Sequence, residues 1–168
     1  MKKTLIVVDM QNDFVHMALG TPEAVEILPA VKEKIQDYVN RGDEVIFTRD
    51  THGRDYLQTA EGRKLPVEHC IKGTEGWELC EGLYVPGCRI IDKPNFGWPH
   101  WDEVNLEAVE LIGLCTDICV VSNALMIKAM HPDIPVTVDS RCCAGVTPES
   151  HEAALKTMAM CQIDVIGG

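Results

Sequence analysis

The sequence predicts an α/β domain built on a mostly parallel β-sheet, and three observations carry that expectation. Short β-branched apolar runs alternate along the chain with longer segments of helical period. The first run, Thr4–Val8, is apolar with no polar alternation, as in a strand covered on both faces, which is the situation in a parallel sheet flanked by helices. At 168 residues the chain fits one domain around one sizeable core, expected to occupy residues 1–168 without an internal linker.

The elements follow in order. After the first strand, Ile27, Val31, Ile35 and Val39 recur every fourth residue and Gly42 follows, which reads as an amphipathic helix with its C-terminal stop. Glu44–Thr48 reads as a second strand, Arg89–Asp92 as a short third and Ala108–Gly113 as a fourth. Asp117–Met130 has helical character and ends before His131-Pro132, since the residue ahead of a proline is pushed out of the helical region. Pro135–Asp139 is a fifth strand, Thr147-Pro148 opens another helix with proline at its first position, and Ile163–Ile166 is a sixth strand. Between Asp50 and Cys88 no long helix is expected, and glycines punctuate a stretch of the kind that is functional in compact domains.

Composition removes several function classes. The chain carries 15 basic and 26 acidic side chains, a formal charge of −11, with no basic cluster to neutralise phosphates, which argues against nucleic acid. A 46% hydrophobic content excludes wholesale disorder. No apolar run approaches the roughly 18 residues of a membrane span. The N-terminal apolar stretch stops at Asp9, too short for the core of an export signal. Eight cysteines in a chain of this size without such a signal point to a reduced, cytoplasmic protein in which a thiol can be used chemically.

In an open parallel sheet ligands gather at the carboxyl ends of the strands. Asp9 ends the first strand, Lys93 the third, and Cys119 falls in the first turn after the fourth, so a carboxylate, an ammonium and a thiol converge on one edge. A helix N-terminus favours a thiolate, and its free N–H groups can hold an oxyanion. The plainer alternative makes Cys119 one more small core residue. A second constellation, Asp50-Thr51-His52 with His69, offers a carboxylate and two imidazoles suited to zinc, iron or manganese; Glu61, Glu68 or water could add a ligand. Surface histidines are the alternative there. Trp98 and Trp101 sit in an aromatic loop after Lys93 that could wall a flat substrate or cover a dimer interface.

Three segments carry a resemblance. Val7-Val8-Asp9-Met10-Gln11-Asn12-Asp13-Phe14, Lys93-Pro94-Asn95-Phe96-Gly97 and Gly113-Leu114-Cys115-Thr116-Asp117-Ile118-Cys119-Val120 resemble, in the same order, the signature segments of the isochorismatase-like cysteine hydrolases. The resemblance implies a Rossmann-like three-layer sandwich with a six-stranded, mostly parallel sheet, a catalytic triad of Asp9, Lys93 and Cys119, a cis peptide at Leu114–Cys115, and an oxyanion hole from the amides of Cys115 and Cys119. Asp50, His52, His69 and the following Cys70 match the metal-binding pattern of the nicotinamidase branch, with Glu61 near a position where some members place a further ligand; a divalent metal, zinc first, is the cofactor implied. Departures are Leu65-Pro66-Val67-Glu68 where the branch has Trp-Pro, and Trp98-Pro99-His100-Trp101 where it has tyrosine and serine.

The activity implied is cysteine-dependent hydrolysis of nicotinamide or a related small amide, with Phe14, Phe96 and Trp98 as walls for a planar substrate. A carbamoyl or ureido hydrolase of the same superfamily is the alternative. A non-enzymatic binding protein on the same fold would be expected to have lost part of the triad, and all three positions are intact here. Self-association as a dimer or tetramer is a further expectation from resemblance.

Overall fold

A computed structural model describes residues 1–168. Its strands are β1 (Lys3–Val8), β2 (Glu44–Asp50), β3 (Arg89–Lys93), β4 (Ala108–Leu114), β5 (Val136–Ala144) and β6 (Asp164–Ile166). They form one six-stranded sheet in the order β3-β2-β1-β4-β5-β6, and every neighbouring pair is parallel. The helices are α1 (Asn12–Val15), α2 (Pro22–Glu26), α3 (Leu28–Arg41), α4 (Ala60–Lys64), α5 (Val121–Met130) and α6 (Pro148–Met160).

The period of two along β1 divides the interior into two layers. Leu5 and Val7 join Val31, Ile35 and Tyr38 of α3 on one face, while Ile6 and Val8 join Ala124 and Ile127 of α5 and Leu155 and Met158 of α6 on the other. Leu5 through Val8 have no exposed surface, so the unbroken apolar run is what a doubly covered strand requires. Each aliphatic side chain so buried stabilises the fold by roughly 1.5–3 kcal/mol before entropy is counted. The helix ends obey local chemistry. Gly42 takes φ +76° to close α3, and Thr147 and Ser150 form a reciprocal capping box ahead of Pro148 in α6.

Strand order reverses at β1, with β2 and β3 to one side and β4, β5 and β6 to the other, so the crevice beyond the carboxyl ends of β1 and β4 is the place where such sheets bind ligands. Gly113 makes this seam possible. Its φ is +120°, and a Cβ there would stand 2.1 Å from the carbonyl oxygen of Val8.

Two expectations are corrected. Residues after β4 do not start a regular α-helix: Thr116–Val120 form a π-helical turn and α5 begins only at Val121. Strand β5 runs through Ala144, so Cys142 and Cys143 lie within it and pack on opposite faces of the sheet. As expected, the Asp50–Cys88 stretch contains no long helix, only α4 and two 3₁₀ turns, Tyr56–Gln58 and Glu75–Trp77.

Away from the crevice, a charged network ties α3 to the sheet. Lys34 Nζ donates to Glu110 Oε1 (2.7 Å) and contacts Asp139 Oδ2 (2.9 Å), while Tyr38 donates to Glu110 and Arg141 to Asp139. Burial pushes the Asp139 carboxyl up, but hydrogen bonds from Arg141 and Lys34 outweigh it and hold the pKa at about 2 against 3.8 for a free side chain. A depressed carboxylate pKa contributes stability above the unfolded value, lost as pH falls toward the folded one. Wild type should therefore exceed Asp139→Asn by about 2 kcal/mol near neutrality. In urea unfolding followed from pH 6 to pH 2, that gap should shrink below roughly pH 4; a gap constant over the range would show that charge is not its source.

Candidate active site

Asp9 follows β1 directly with φ +49°, a left-handed conformation uncommon for a side chain without local reason, and strained residues of this kind cluster at functional sites. Thr48 at the adjacent end of β2 holds it: the Asp9 N–H donates to Thr48 Oγ1 (3.2 Å), and that hydroxyl donates to Asp9 Oδ1 (2.7 Å). Lys93, the last residue of β3, donates from Nζ to Asp9 Oδ2 at 2.7 Å and to the Asn95 carbonyl at 3.1 Å. Both side chains of this ion pair are fully buried, and Cys119 is 4% exposed.

The electrostatics correct one expectation. A thiol at a helix N-terminus was expected to ionise readily; here burial, then the Asp9 charge, push the Cys119 thiol well above its ordinary range, with Lys93 only partly opposing. Burial also raises the Asp9 carboxyl against the pull of Lys93. Burial disfavours the Lys93 ammonium, but Asp9, Cys119 and Asp50 more than offset it and hold it charged. The arrangement places a thiol whose ionisation is disfavoured beside the Asp9–Lys93 pair.

The second group of side chains forms around the end of β2. Beyond Asp50 the chain continues extended, and the His52 N–H donates to the Cys70 carbonyl while the Lys72 N–H donates to the His52 carbonyl. This short parallel bridge lays His69 beside His52. Cys70 takes φ +48°, and its N–H donates to the buried Asp13 carboxylate at 2.7 Å. Glu61 arrives from α4, whose N-cap Thr59 accepts from Gly62 N–H. One ligand atom from each of Asp50, His52, Glu61 and His69 lies within 4.8 Å of the other three.

This donor set fits a divalent cation. Asp50 Oδ1 is buried with no hydrogen-bond partner, although its other oxygen lies 2.8 Å from His52 Nε2 and 3.4 Å from His69 Nε2. The His69 Nδ1 stands 2.8 Å from the Val67 carbonyl, which only accepts, so Nδ1 carries the proton and Nε2 faces the group. Burial resists charge on His52, but Asp50 and Glu61 raise its pKa to about 9, and burial resists charge on His69, which Asp50 raises; hydrogen bonds from His52 and His69, with Lys93 nearby, depress Asp50 despite its burial. Two carboxylates thus concentrate negative potential where the two imidazoles converge.

Both groups open on one cavity of about 600 Å³, lined by Cys115, Cys119, Asp50, Glu61, His69, Phe14 and Phe96 among others. Phe14 packs beside His69 with ring centroids 5.5 Å apart. Trp98 is not a wall. It is not among the lining residues; its ring meets that of Trp101 edge-on at 4.9 Å between centroids and its backbone N–H donates to Asn123. Glu68 is exposed and stands outside the metal-ligand group. The Leu114–Cys115 peptide is cis, as the resemblance implied.

Two residues that sequence reasoning passed over hold the frame. Gln11, fully buried, accepts from the Asp50 N–H (2.7 Å) and donates to the Asp50 and Trp77 carbonyls (2.8 and 2.9 Å). Asn123, also fully buried, donates to the carbonyls of Cys119 and Phe96 and accepts from Trp98 N–H and Trp101 Nε1–H, joining the Cys119 turn to the Lys93 loop. Asn123 offered one sequence signal, an uncharged polar residue ahead of the apolar Ala124–Ile127 run, and Gln11 lies within the first of the three resemblance segments.

Comparison with known proteins bears on this arrangement. A pyrazinamidase from Pyrococcus horikoshii, solved in complex with zinc, superposes with a TM-score of 0.85 at 27% identity over 100% of both chains. A nicotinamidase from Schizosaccharomyces pombe is 27% identical over 96% of this chain and 91% of its own. An N-carbamoylsarcosine amidase from Thermoplasma acidophilum superposes with a TM-score of 0.80 at 25% identity, covering 98% of this chain and 95% of that one. The family model described as an isochorismatase domain matches residues 3–167, and with that span and the fold described above the chain belongs to the isochorismatase family.

Proposed function

We propose that the protein is a cysteine-dependent amidohydrolase that converts a small heteroaromatic carboxamide, nicotinamide in the first instance, to the acid and ammonia. Amide hydrolysis is common to the similar proteins named nicotinamidase, pyrazinamidase and N-carbamoylsarcosine amidase. One observation carries the reading furthest: a buried thiol beside a carboxylate–ammonium pair shares a cavity with a four-residue metal-ligand group.

In the proposed cycle Asp9 takes the Cys119 proton as the sulfur attacks the amide carbonyl carbon. Lys93 keeps its proton and balances the negative charge as it passes between Cys119 and Asp9. The amides of Cys115 and Cys119 hold the oxyanion of the tetrahedral intermediate. The C–N bond then breaks, Asp9 returns its proton to the leaving nitrogen, and ammonia departs from a thioester. Asp9 next takes a proton from water, whose oxygen attacks the thioester carbonyl; the C–S bond breaks and the sulfur recovers the proton. A divalent cation held by Asp50, His52, Glu61 and His69, zinc by analogy with the pyrazinamidase neighbour, would supply a Lewis-acid anchor for a ring nitrogen. Phe14 would face the ring.

The second reading, a carbamoyl or ureido hydrolase, draws on the similarity to N-carbamoylsarcosine amidase. A panel of nicotinamide, pyrazinamide, benzamide and N-carbamoyl amino acids, assayed for ammonia with and without chelator, decides between them. Turnover of the two azine amides, lost with chelator and absent for benzamide, is expected. Turnover of carbamoyl compounds alone, indifferent to chelator, would replace the first reading by the second.

A further inference from the structure

The cavity is larger and more apolar at its outer end than a pyridine carboxamide requires. Nicotinamide has about nine non-hydrogen atoms, whereas cavities of roughly 300–1,000 Å³ house ligands of drug size, and this one measures about 600 Å³. The surplus wall comes from segments that carry neither the thiol nor its partners: Leu19 and Ala24 near α2, Ala60 and Leu65 at the two ends of α4, Phe96 after β3, and Val146 after β5. Leu65, Phe96 and Val146 are 40%, 44% and 52% exposed, so three of the chain's few large exposed apolar side chains border this one opening. An apolar patch of this kind, continuous with a reaction centre, is surface awaiting a ligand.

The polar inventory of this outer wall is short. Thr21 spends its hydroxyl on the Ala24 N–H as the α2 cap. Lys64 is solvent-exposed on the last turn of α4. Asn95 is exposed beside Phe96, so the outer wall carries three polar side chains, Thr21, Lys64 and Asn95, against the six apolar ones named above.

We infer that the preferred substrate is a heteroaromatic carboxamide bearing an apolar substituent on the ring, an alkyl or aryl group, which fills the outer cavity against Leu65, Phe96 and Val146. This rests on the amidase reading above and sharpens its substrate class. The gain comes from apolar surface removed from water near the ring and needs no new polar contact.

The test measures kcat/KM of the zinc-loaded enzyme for nicotinamide, 5-methylnicotinamide, 5-propylnicotinamide, 5-phenylnicotinamide and nicotinamide riboside. The expected result is a rise along the carbon series reaching at least about tenfold for propyl or phenyl over nicotinamide, with no gain for the riboside. Ala60→Trp and Val146→Trp, which narrow the outer cavity from exposed positions, should each reduce the phenyl-to-nicotinamide ratio; circular dichroism and zinc content verify that the variants fold. Nicotinamide turned over best, with every substituent lowering kcat/KM, would overturn this inference and leave the amidase reading standing. Zinc-loaded enzyme that releases ammonia from none of the carboxamides would overturn both.

Discussion

Cys119→Ala is expected to lower kcat for amide hydrolysis by roughly 10⁴–10⁶-fold, the loss seen when a covalent nucleophile is removed. The argument rests on what remains in the cavity. With the sulfur gone, Asp9 and Lys93 are still a buried ion pair at 2.7 Å, and neither can form the acyl intermediate as Cys119 would. Because the thiol is only 4% exposed and pushed well above its ordinary range by burial and Asp9, it cannot ionise alone near neutrality. Catalysis then depends on Asp9 being ionised to receive the proton. Burial raises the Asp9 pKa above 3.8, so kcat/KM should fall as the solution is acidified through a value higher than that of an ordinary carboxylate. Steady-state ammonia release across pH checks the limb, and iodoacetamide labelling checks the resting state. Activity surviving in Cys119→Ala would point to a different nucleophile. Rapid labelling of wild type at low pH would show a preformed thiolate in place of proton transfer to Asp9.

The difference between a preformed and a transferred proton marks the boundary of what the chain reveals by inspection. Strand ends are legible because an apolar run stops at a polar residue: Val8 gives way to Asp9 and Ile91 to Asp92-Lys93, and topology does the rest. Asp50 and His52 are legible for the same reason. Burial is not local. A helix-terminus argument assigns Cys119 a low pKa because it counts nearby N–H groups, and it misses the hydrophobic layer and the carboxylate that surround the sulfur. The residues that frame the site were missed for a related reason. Gln11 binds backbone groups 39 and 66 positions away, Asp13 one 57 positions away, and Asn123 loop atoms 22 to 27 positions back. Only the assembled sheet brings those partners into reach. Trp98 stands outside the lining, and adjacency to Lys93 does not say which side chains of the loop reach the cavity; its ring packs against Trp101.

His69→Ala should separate binding from chemistry at the second group. The imidazole Nδ1–H is fixed on the Val67 carbonyl, so Nε2 is offered to whatever sits between Asp50, His52 and Glu61. Removing it strips one of four donors and takes away a neighbour of Asp50 Oδ2, while Asp50 Oδ1 already has no partner among the protein's own groups. Zinc stoichiometry measured by plasma mass spectrometry should drop, and KM for nicotinamide should rise about 10–100-fold, the range typical of weakened metal sites. If the cation only orients the ring, kcat should change by less than about tenfold, because Cys119, Asp9 and Lys93 are untouched. Chelation of the wild type should reproduce this pattern and added zinc should reverse it. The alternative has a distinct signature: a collapse of kcat at unchanged KM would mean that the cation takes part in bond making. Glu61→Gln sharpens the contrast. Its side chain is 18% exposed and comes from the short helix α4, so it can yield to solvent more readily than Asp50, His52 or His69. Glu61→Gln should therefore lose less zinc than His69→Ala while shifting KM in the same direction, and a larger loss from Glu61→Gln would place the dominant anchor on α4 instead of on the extension of β2.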